Sequence, residues 1–255
     1  MISCVHTSVL NEEQKKEIQA LAAACALEEP VTLSAPLEDG LEYFLGYEDG
    51  KLISMVFLFF PEDSVCECGA YTLPEKRRLG YFSELLDEAL AFVETYEAKL
   101  GVVVDFCFLT DGNSPAAAAV LDTIGAEYWY SEYSMSLDLP VPAGSGDLLG
   151  KFSDSNDLYI VEAETNLYTL VLNDRTLGAC MILPNGDSVY FYGFEIKRAY
   201  RGKGYGQSFL EVMIRLLSSD YRQITLQVSS LNTAAVALYK KTGFRITDTL
   251  SYYLY

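Results

Sequence analysis

Basic residues are scarce in this chain: 18 Lys and Arg stand against 36 Asp and Glu, for a formal net charge of −18. A phosphate backbone would meet repulsion rather than a basic stripe, which argues against general nucleic-acid binding. Histidine is limited to His6, and the six cysteines (Cys4, Cys25, Cys66, Cys68, Cys107, Cys180) show neither CxxC nor framework spacing. No metal site is therefore expected, and the thiols read as reduced and mostly buried. No apolar run is long enough to span a bilayer. The opening segment, Met1-Ile-Ser-Cys-Val-His6, lacks the basic-then-apolar pattern of a secretory signal, so a cytoplasmic protein without a membrane partner is expected. What is present is a globular composition, 50% hydrophobic and 21% charged over 255 residues, enough for one large domain or two ordinary ones.

The negative charge is unevenly spread. Residues 1–140 carry seven Lys/Arg against 25 Asp/Glu, whereas residues 141–255 carry eleven of each. Solubility accounts for such an acidic half, and so does the attraction of a cationic substrate such as an amine. Within the balanced half, Lys197, Arg198, Arg201 and Lys203 fall within seven residues. They surround the run Arg201-Gly-Lys-Gly-Tyr-Gly206. Upstream, Val189–Ile196 has the β-branched and aromatic content of a buried strand. Downstream, Phe209, Leu210, Met213, Leu216 and Leu217 recur on one face of a helix. Glycines at a strand-to-helix join let backbone N–H groups crowd an anion at the helix N-terminus, where the dipole also favours negative charge. The segment reads as a phosphate cradle.

Pro140-Val-Pro-Ala-Gly-Ser-Gly146 is the best linker candidate, and the two sides share one order of events. After it come strand patterns at Leu158–Leu172 and Thr176–Leu183, the run to Ile196, the glycine loop and the helix. An alternating strand with Ile224, Leu226 and Val228 on one side follows. A short helix from Asn232 to about Lys241, Gly243-Phe244 and a closing aromatic strand through Tyr252-Tyr253 complete the half. The first half starts with a helix around Glu12–Cys25, capped by Asn11. Strands follow at Tyr43–Tyr47, Leu52–Phe60 and around Val65–Tyr71. Then come Arg77-Arg-Leu-Gly80-Tyr-Phe82, a helix burying Phe82, Leu85, Leu86, Ala89, Leu90 and Val93, and a strand at Val102–Phe108. An alanine-rich helix and Gly125-Ala126 end the parallel. The expectation is an internally duplicated α/β (α+β) protein with domains 1–140 and 141–255, each a mixed, mostly antiparallel twisted sheet flanked by helices.

The order strand, R-x-x-G-x-G, helix, strand, then N-x-x-A-x-x-L-Y-x-x-x-G-F resembles the GNAT superfamily of acyl-CoA-dependent N-acyltransferases. Arg201, Gly204 and Gly206 fit its pyrophosphate motif; Asn232, Ala235, Leu238, Tyr239, Gly243 and Phe244 fit its second motif. The resemblance covers about residues 155–255 firmly and 1–140 in outline, so the whole looks like a tandem GNAT protein with a degenerate first copy. It implies acetyl-CoA as co-substrate. Its pyrophosphate would rest on the amides of Gly202, Lys203, Gly204, Tyr205, Gly206 and Gln207, its pantetheine arm along the strand ending at Ile196, Lys197 and Arg198, and Asn232 beside that arm.

The implied reaction is direct attack of a neutral amine on the thioester. Glu195, on the strand beside the thioester, is the expected base, with burial raising its carboxyl toward a useful range. Tyr239 is the expected proton donor to the departing thiolate. Each has another reading: Tyr239 as core packing, Asn232 as a helix cap, Glu195 as a paired strand residue, and Tyr252 and Tyr253 as filler or pocket wall. The first half departs from the pattern. Arg78 replaces Gly202, Phe82 replaces Gly206, Leu121 stands where Tyr239 does, and Asn113 lies one residue further from its glycine than Asn232. That half reads as catalytically silent, structural or substrate-binding. A small cationic amine is the expected acceptor. An acyl-CoA-binding regulatory or scaffold protein without turnover is the alternative, and a protein amine is a third possibility.

Overall fold

Asn11 caps the first helix as its position predicts. Its side chain accepts the N–H groups of Glu13 and Gln14, and Gln14 Oε1 accepts the Asn11 N–H in return, a complete capping box for α1 (Glu12–Glu28). The computed structural model describes residues 2–31, 33–139 and 158–255, so the linker expected at 140–146 lies outside the described residues. The chain divides into one unit of residues 1–131 with 250–255 and another of residues 132–249.

In the first unit, β1 (Ser3–Thr7), β2 (Glu42–Glu48), β3 (Lys51–Glu62) and β4 (Val65–Thr72) form an antiparallel ladder. α2 (Tyr81–Leu100) then crosses over, and β5 (Asp105–Thr110) pairs parallel to β4. α3 (Pro115–Ile124) and the opening residues of β6 (Glu127–Asp138) follow. The core lies between the sheet and α2, where Leu85, Leu86, Ala89 and Val93 are buried while Phe82 and Leu90 are partly so. Neither β1 nor β6 is foreseen by sequence pattern. β1 buries none of its five residues, so it lacks the alternation that marks a half-buried strand.

The second unit repeats the ladder. β7 (Leu158–Glu164), β8 (Leu167–Leu172), β9 (Arg175–Asn185) and β10 (Ser188–Ile196) are antiparallel. α4 (Tyr205–Leu217) crosses over, and β11 (Gln223–Ser229) pairs parallel to β10 and antiparallel to β6. α5 (Thr233–Lys241) and β12 (Arg245–Leu254) close the chain. The single pattern read at Leu158–Leu172 is two strands, because Asn166 turns the chain at φ 64° with its N–H held by the Glu162 carboxylate. α4 buries Phe209, Leu210, Val212, Met213 and Leu217 against the sheet. β12 belongs to both units: residues 250–254 count with the first, where Ser251–Leu254 pair antiparallel with β5, and residues 245–249 with the second.

All six cysteines are free, and five are buried. Burial raises Cys66 to about 12 and Cys107 to about 11, and Tyr43 and Tyr71 to about 12. These groups stay neutral in the fold above the pH at which an unfolded chain ionises them. Their stabilising contribution is complete below about pH 8.5 and is lost as pH rises through the folded values. The melting temperature is therefore expected to hold level from pH 7 to 8.5 and to drop by pH 10–11 in calorimetry. A flat profile to pH 11 would contradict the burial of these groups.

Candidate active site

β10 and β11 begin as a parallel pair, but their ladder ends at Tyr190↔Thr225. β10 runs on to Ile196 with a bulge between Tyr192 and Glu195, where Gly193 takes φ 60°. β11 runs on to Ser229 paired with β6. Beyond Tyr190 no pairing among the described residues joins the facing edges of the two strands, which leaves an open wedge with a strand edge of the kind to which an extended ligand can add. The strand end is crowded on its other side. A Cβ at Gly178 would lie 2.4 Å from the Glu195 carbonyl oxygen, so glycine there lets β9 hold β10 in place.

Past Ile196 the chain makes one 3-10 turn over Arg198–Tyr200 and enters the glycine loop. Arg201 Nε donates to the Ile196 carbonyl at 2.7 Å, folding the loop back onto the strand end. Gly202 and Gly204 take φ 74° and 83°, a conformation that bare glycine adopts without strain. Gly204 is the N-cap of α4, and no side chain caps that helix. The first amides, of Tyr205, Gly206 and Gln207, meet no side-chain acceptor among the described residues, and the helix dipole makes such a terminus favourable for negative charge.

Lys197, Arg198, Arg201 and Lys203 are exposed around this loop, and none forms an ion pair among the described residues. Lys203 Nζ donates to the Ala199 carbonyl at 3.3 Å and lies 5.9 Å from the Tyr200 ring centroid. Lys241, from the last turn of α5, donates to Gln207 Oε1 at 2.7 Å and adds a cation beside the same turn. Sequence spacing gives no sign of Lys241, since it reaches the loop only through the packing of α5 beside α4.

Tyr239 is buried on α5, with ring centroids 6.4 Å from Phe194 on the β10 bulge and 5.6 Å from Phe244. Burial pushes its hydroxyl up to about 12. That hydroxyl bonds no described residue, and no described buried side-chain polar atom lacks a partner, so it reaches the surface. Asn232 is the cap of α5: its Oδ1 accepts the Ala235 N–H at 3.2 Å.

Glu195 differs from expectation. Its side chain is exposed rather than buried, because the bulge turns Phe194 and Ile196 toward the core and leaves Tyr192 and Glu195 facing out.

The first unit builds the same turn from different residues. Arg77 Nε donates to the Thr72 carbonyl at 3.3 Å, as Arg201 does to Ile196. Arg78 takes φ 62° where Gly202 takes 74°, and Gly80 takes 89° at the start of α2. Phe82, in place of Gly206, stands with its ring centroid 6.3 Å from that of Phe108 on β5. No register shift interrupts β4 between Glu67 and Thr72. The cap of α3 is Ser114, which accepts the Ala117 N–H, rather than Asn113. Ser114 stands 11 residues before Gly125, as Asn232 does before Gly243.

Residues 127–244 match the profile of the acetyltransferase (GNAT) family. No curated protein matches the chain. Among solved structures, the GCN5-related N-acetyltransferase from Sphaerobacter thermophilus is similar at 15% identity and TM-score 0.67, over 99% of this chain and 95% of that one. A tandem GNAT protein from the clavulanic acid biosynthesis pathway is similar at 14% identity and TM-score 0.59, over 100% of this chain and 98% of that one. Likenesses at this identity speak to fold, and the profile match speaks to family. The chain thus has the fold of GNAT acetyltransferases, including a tandem one, and its residues 127–244 match the acetyltransferase (GNAT) family.

Proposed function

We propose that the second unit binds acetyl-CoA along the open edge of β10 and transfers the acetyl group to a small cationic primary amine. One observation carries the reading. An uncapped helix N-terminus, ringed by cations without ion pairs among the described residues, stands at the end of a strand whose edge is open. The pyrophosphate would take the amides of Tyr205, Gly206 and Gln207, with Arg198, Lys203 and Lys241 neutralising the phosphates. The pantetheine arm would pair with the backbone of β10 up to Ile196, and the Asn232 side-chain amide would face it.

In the reaction the amine nitrogen attacks the thioester carbonyl carbon. A β10 backbone N–H stabilises the oxyanion, the C–S bond breaks, and the thiolate takes the Tyr239 proton. The ammonium proton leaves to Glu195, directly or through water. Tyr192, exposed on the same strand and stacked on Tyr190 at 5.8 Å, offers an aromatic face to an alkylammonium group. The acidic residues 1–140 favour a cationic acceptor. Free, buried thiols suit the reducing cytoplasm.

The first experiment is calorimetric titration of acetyl-CoA followed by a screen of primary amines. No binding would overturn the proposal. The exposure of Glu195 favours a second reading, an acyl-CoA-binding protein without turnover. The amine screen separates the two, since a binder without turnover releases no thiol with any amine, and Glu195→Gln then tests the base. For the enzyme, kcat falls by roughly 10²-fold at unchanged KM for acetyl-CoA. An unchanged kcat removes Glu195 from the mechanism.

A further inference from the structure

In the first unit the turn that corresponds to the phosphate cradle is tied to the N-terminus of α3 by a carboxylate of the chain itself. Glu29, one residue past α1, turns its carboxylate onto three donors. Oε2 accepts from the Ser114 hydroxyl at 2.6 Å, Oε1 accepts from the Ala116 N–H at 3.1 Å, and Arg77 Nη1 lies 3.4 Å from Oε1. Only 12% of the Glu29 side chain is exposed, which makes this an enclosed contact rather than a loose surface pair. Burial acts to raise the Glu29 carboxyl, but the Ser114 hydroxyl, the Ala116 N–H and the Arg77 guanidinium together hold it below its ordinary range.

These donors have counterparts in the second unit, and the match rests on bonds. Arg77 and Arg201 each send Nε to the carbonyl five residues back, that of Thr72 or Ile196. Ser114 and Asn232 each cap a helix by accepting the N–H three residues on, that of Ala117 or Ala235. In the second unit no described carboxylate bonds Arg201 or the first turn of α5. Two further contacts fasten the first unit shut. The Cys25 thiol, from the last turns of α1, donates to the Thr72 carbonyl that also receives Arg77. Lys76, in the adjoining turn, pairs with Glu48.

We infer that Glu29 is an internal counter-ion that closes the cofactor cleft of the first unit and holds that unit in a ligand-independent closed state. A carboxylate covalently tied to α1 bridges Arg77 and the first turn of α3, whereas their counterparts in the second unit, Arg201 and the first turn of α5, have no such bridge among the described residues. A diffusing ligand must displace three donor contacts at once to enter there, and Phe82 already stands against Phe108 behind them. The corollary of one acyl-CoA per chain rests on the function proposed above, whereas the closed state does not.

Hydrogen exchange read by mass spectrometry on the full chain, with coenzyme A as the probe, tests both parts. Peptides covering 72–84 and 111–118 report the first unit; those covering 196–208 and 229–236 report the second. In the wild type the first-unit peptides are expected to be protected without coenzyme A and unchanged by it. In Glu29→Ala they exchange at least about tenfold faster, while the response of the second unit is kept. Glu29→Gln keeps the shape and loses the charge, and it decides the matter if the alanine variant unfolds: faster exchange confined to the two first-unit peptides supports the inference. Coenzyme A protecting 72–84 in the wild type would overturn it, as would unchanged exchange there in both variants. Coenzyme A protecting neither unit would overturn the proposed function, and the Glu29 variants would still decide the closed state.

Discussion

Gly206→Phe is expected to leave the protein folded and to abolish acyl-CoA binding. A Cβ at position 206 would meet Ile196 Cγ1 at 3.5 Å, Leu238 Cδ2 at 3.7 Å and Phe194 Cζ at 4.0 Å, all ordinary contacts, so α4 accepts a side chain there. The rest of the ring has to go somewhere. Those three neighbours lie at the end of β10, on the bulge and on α5, so the ring enters the wedge where the ligand arm is proposed to lie. The first unit supplies the precedent in its own sequence, where Phe82 holds the corresponding position beside Phe108. An arm kept out of the wedge also carries the phosphates off the cradle, a loss worth about 4 kcal/mol or more, or roughly a thousandfold in Kd. Calorimetry with acetyl-CoA is expected to show no saturation at concentrations that saturate the wild type, with the melting temperature within a few degrees. Binding within about threefold of the wild type would mean that the arm does not run through this wedge.

Tyr239→Phe is expected to lower kcat by roughly 10²-fold while leaving KM for acetyl-CoA unchanged. The ring keeps its packing between Phe194 and Phe244, so only the hydroxyl is lost. Because burial holds that hydroxyl near 12, it carries its proton throughout the neutral and mildly alkaline range. A proton donor with a raised value is competent below that value and fails only above it. The wild-type kcat is therefore expected to show no loss from this group between pH 7 and 10, and the variant profile to run parallel at a lower level. Thiol release measured against pH in both proteins gives the answer. An equal kcat would reduce Tyr239 to a core residue, the role its burial alone would support.

What sequence pattern can and cannot reveal follows from the range of each interaction. The glycine turn, α4 and the cap of α5 were legible because they rest on local rules: glycine at positive φ, a 3.6-residue apolar period, and asparagine before a helix. The bulge had a local signal too, an isolated glycine at position 193 inside an aromatic strand run. That signal carried the unread consequence that Glu195 would face out. Glu29 and Lys241 left no trace, since each meets its partners through tertiary packing. Glu29 lies 85 residues from Ser114, and Lys241 lies 34 from Gln207. The duplicated order of elements was visible, but the assignment of the last strand was not, because chain order attaches it to the second copy.

That assignment bears on how the chain comes off the ribosome. The edge of β5 in the first unit is completed by Ser251–Leu254, and Tyr255 donates its N–H to the Phe106 carbonyl at 3.0 Å. A nascent chain emerges N-terminus first and ordinarily folds its leading domain while the rest is still being made. Here the leading unit waits for Ser251–Leu254, which are made after the whole of the second unit, and β5 stays unpaired on one side until they emerge.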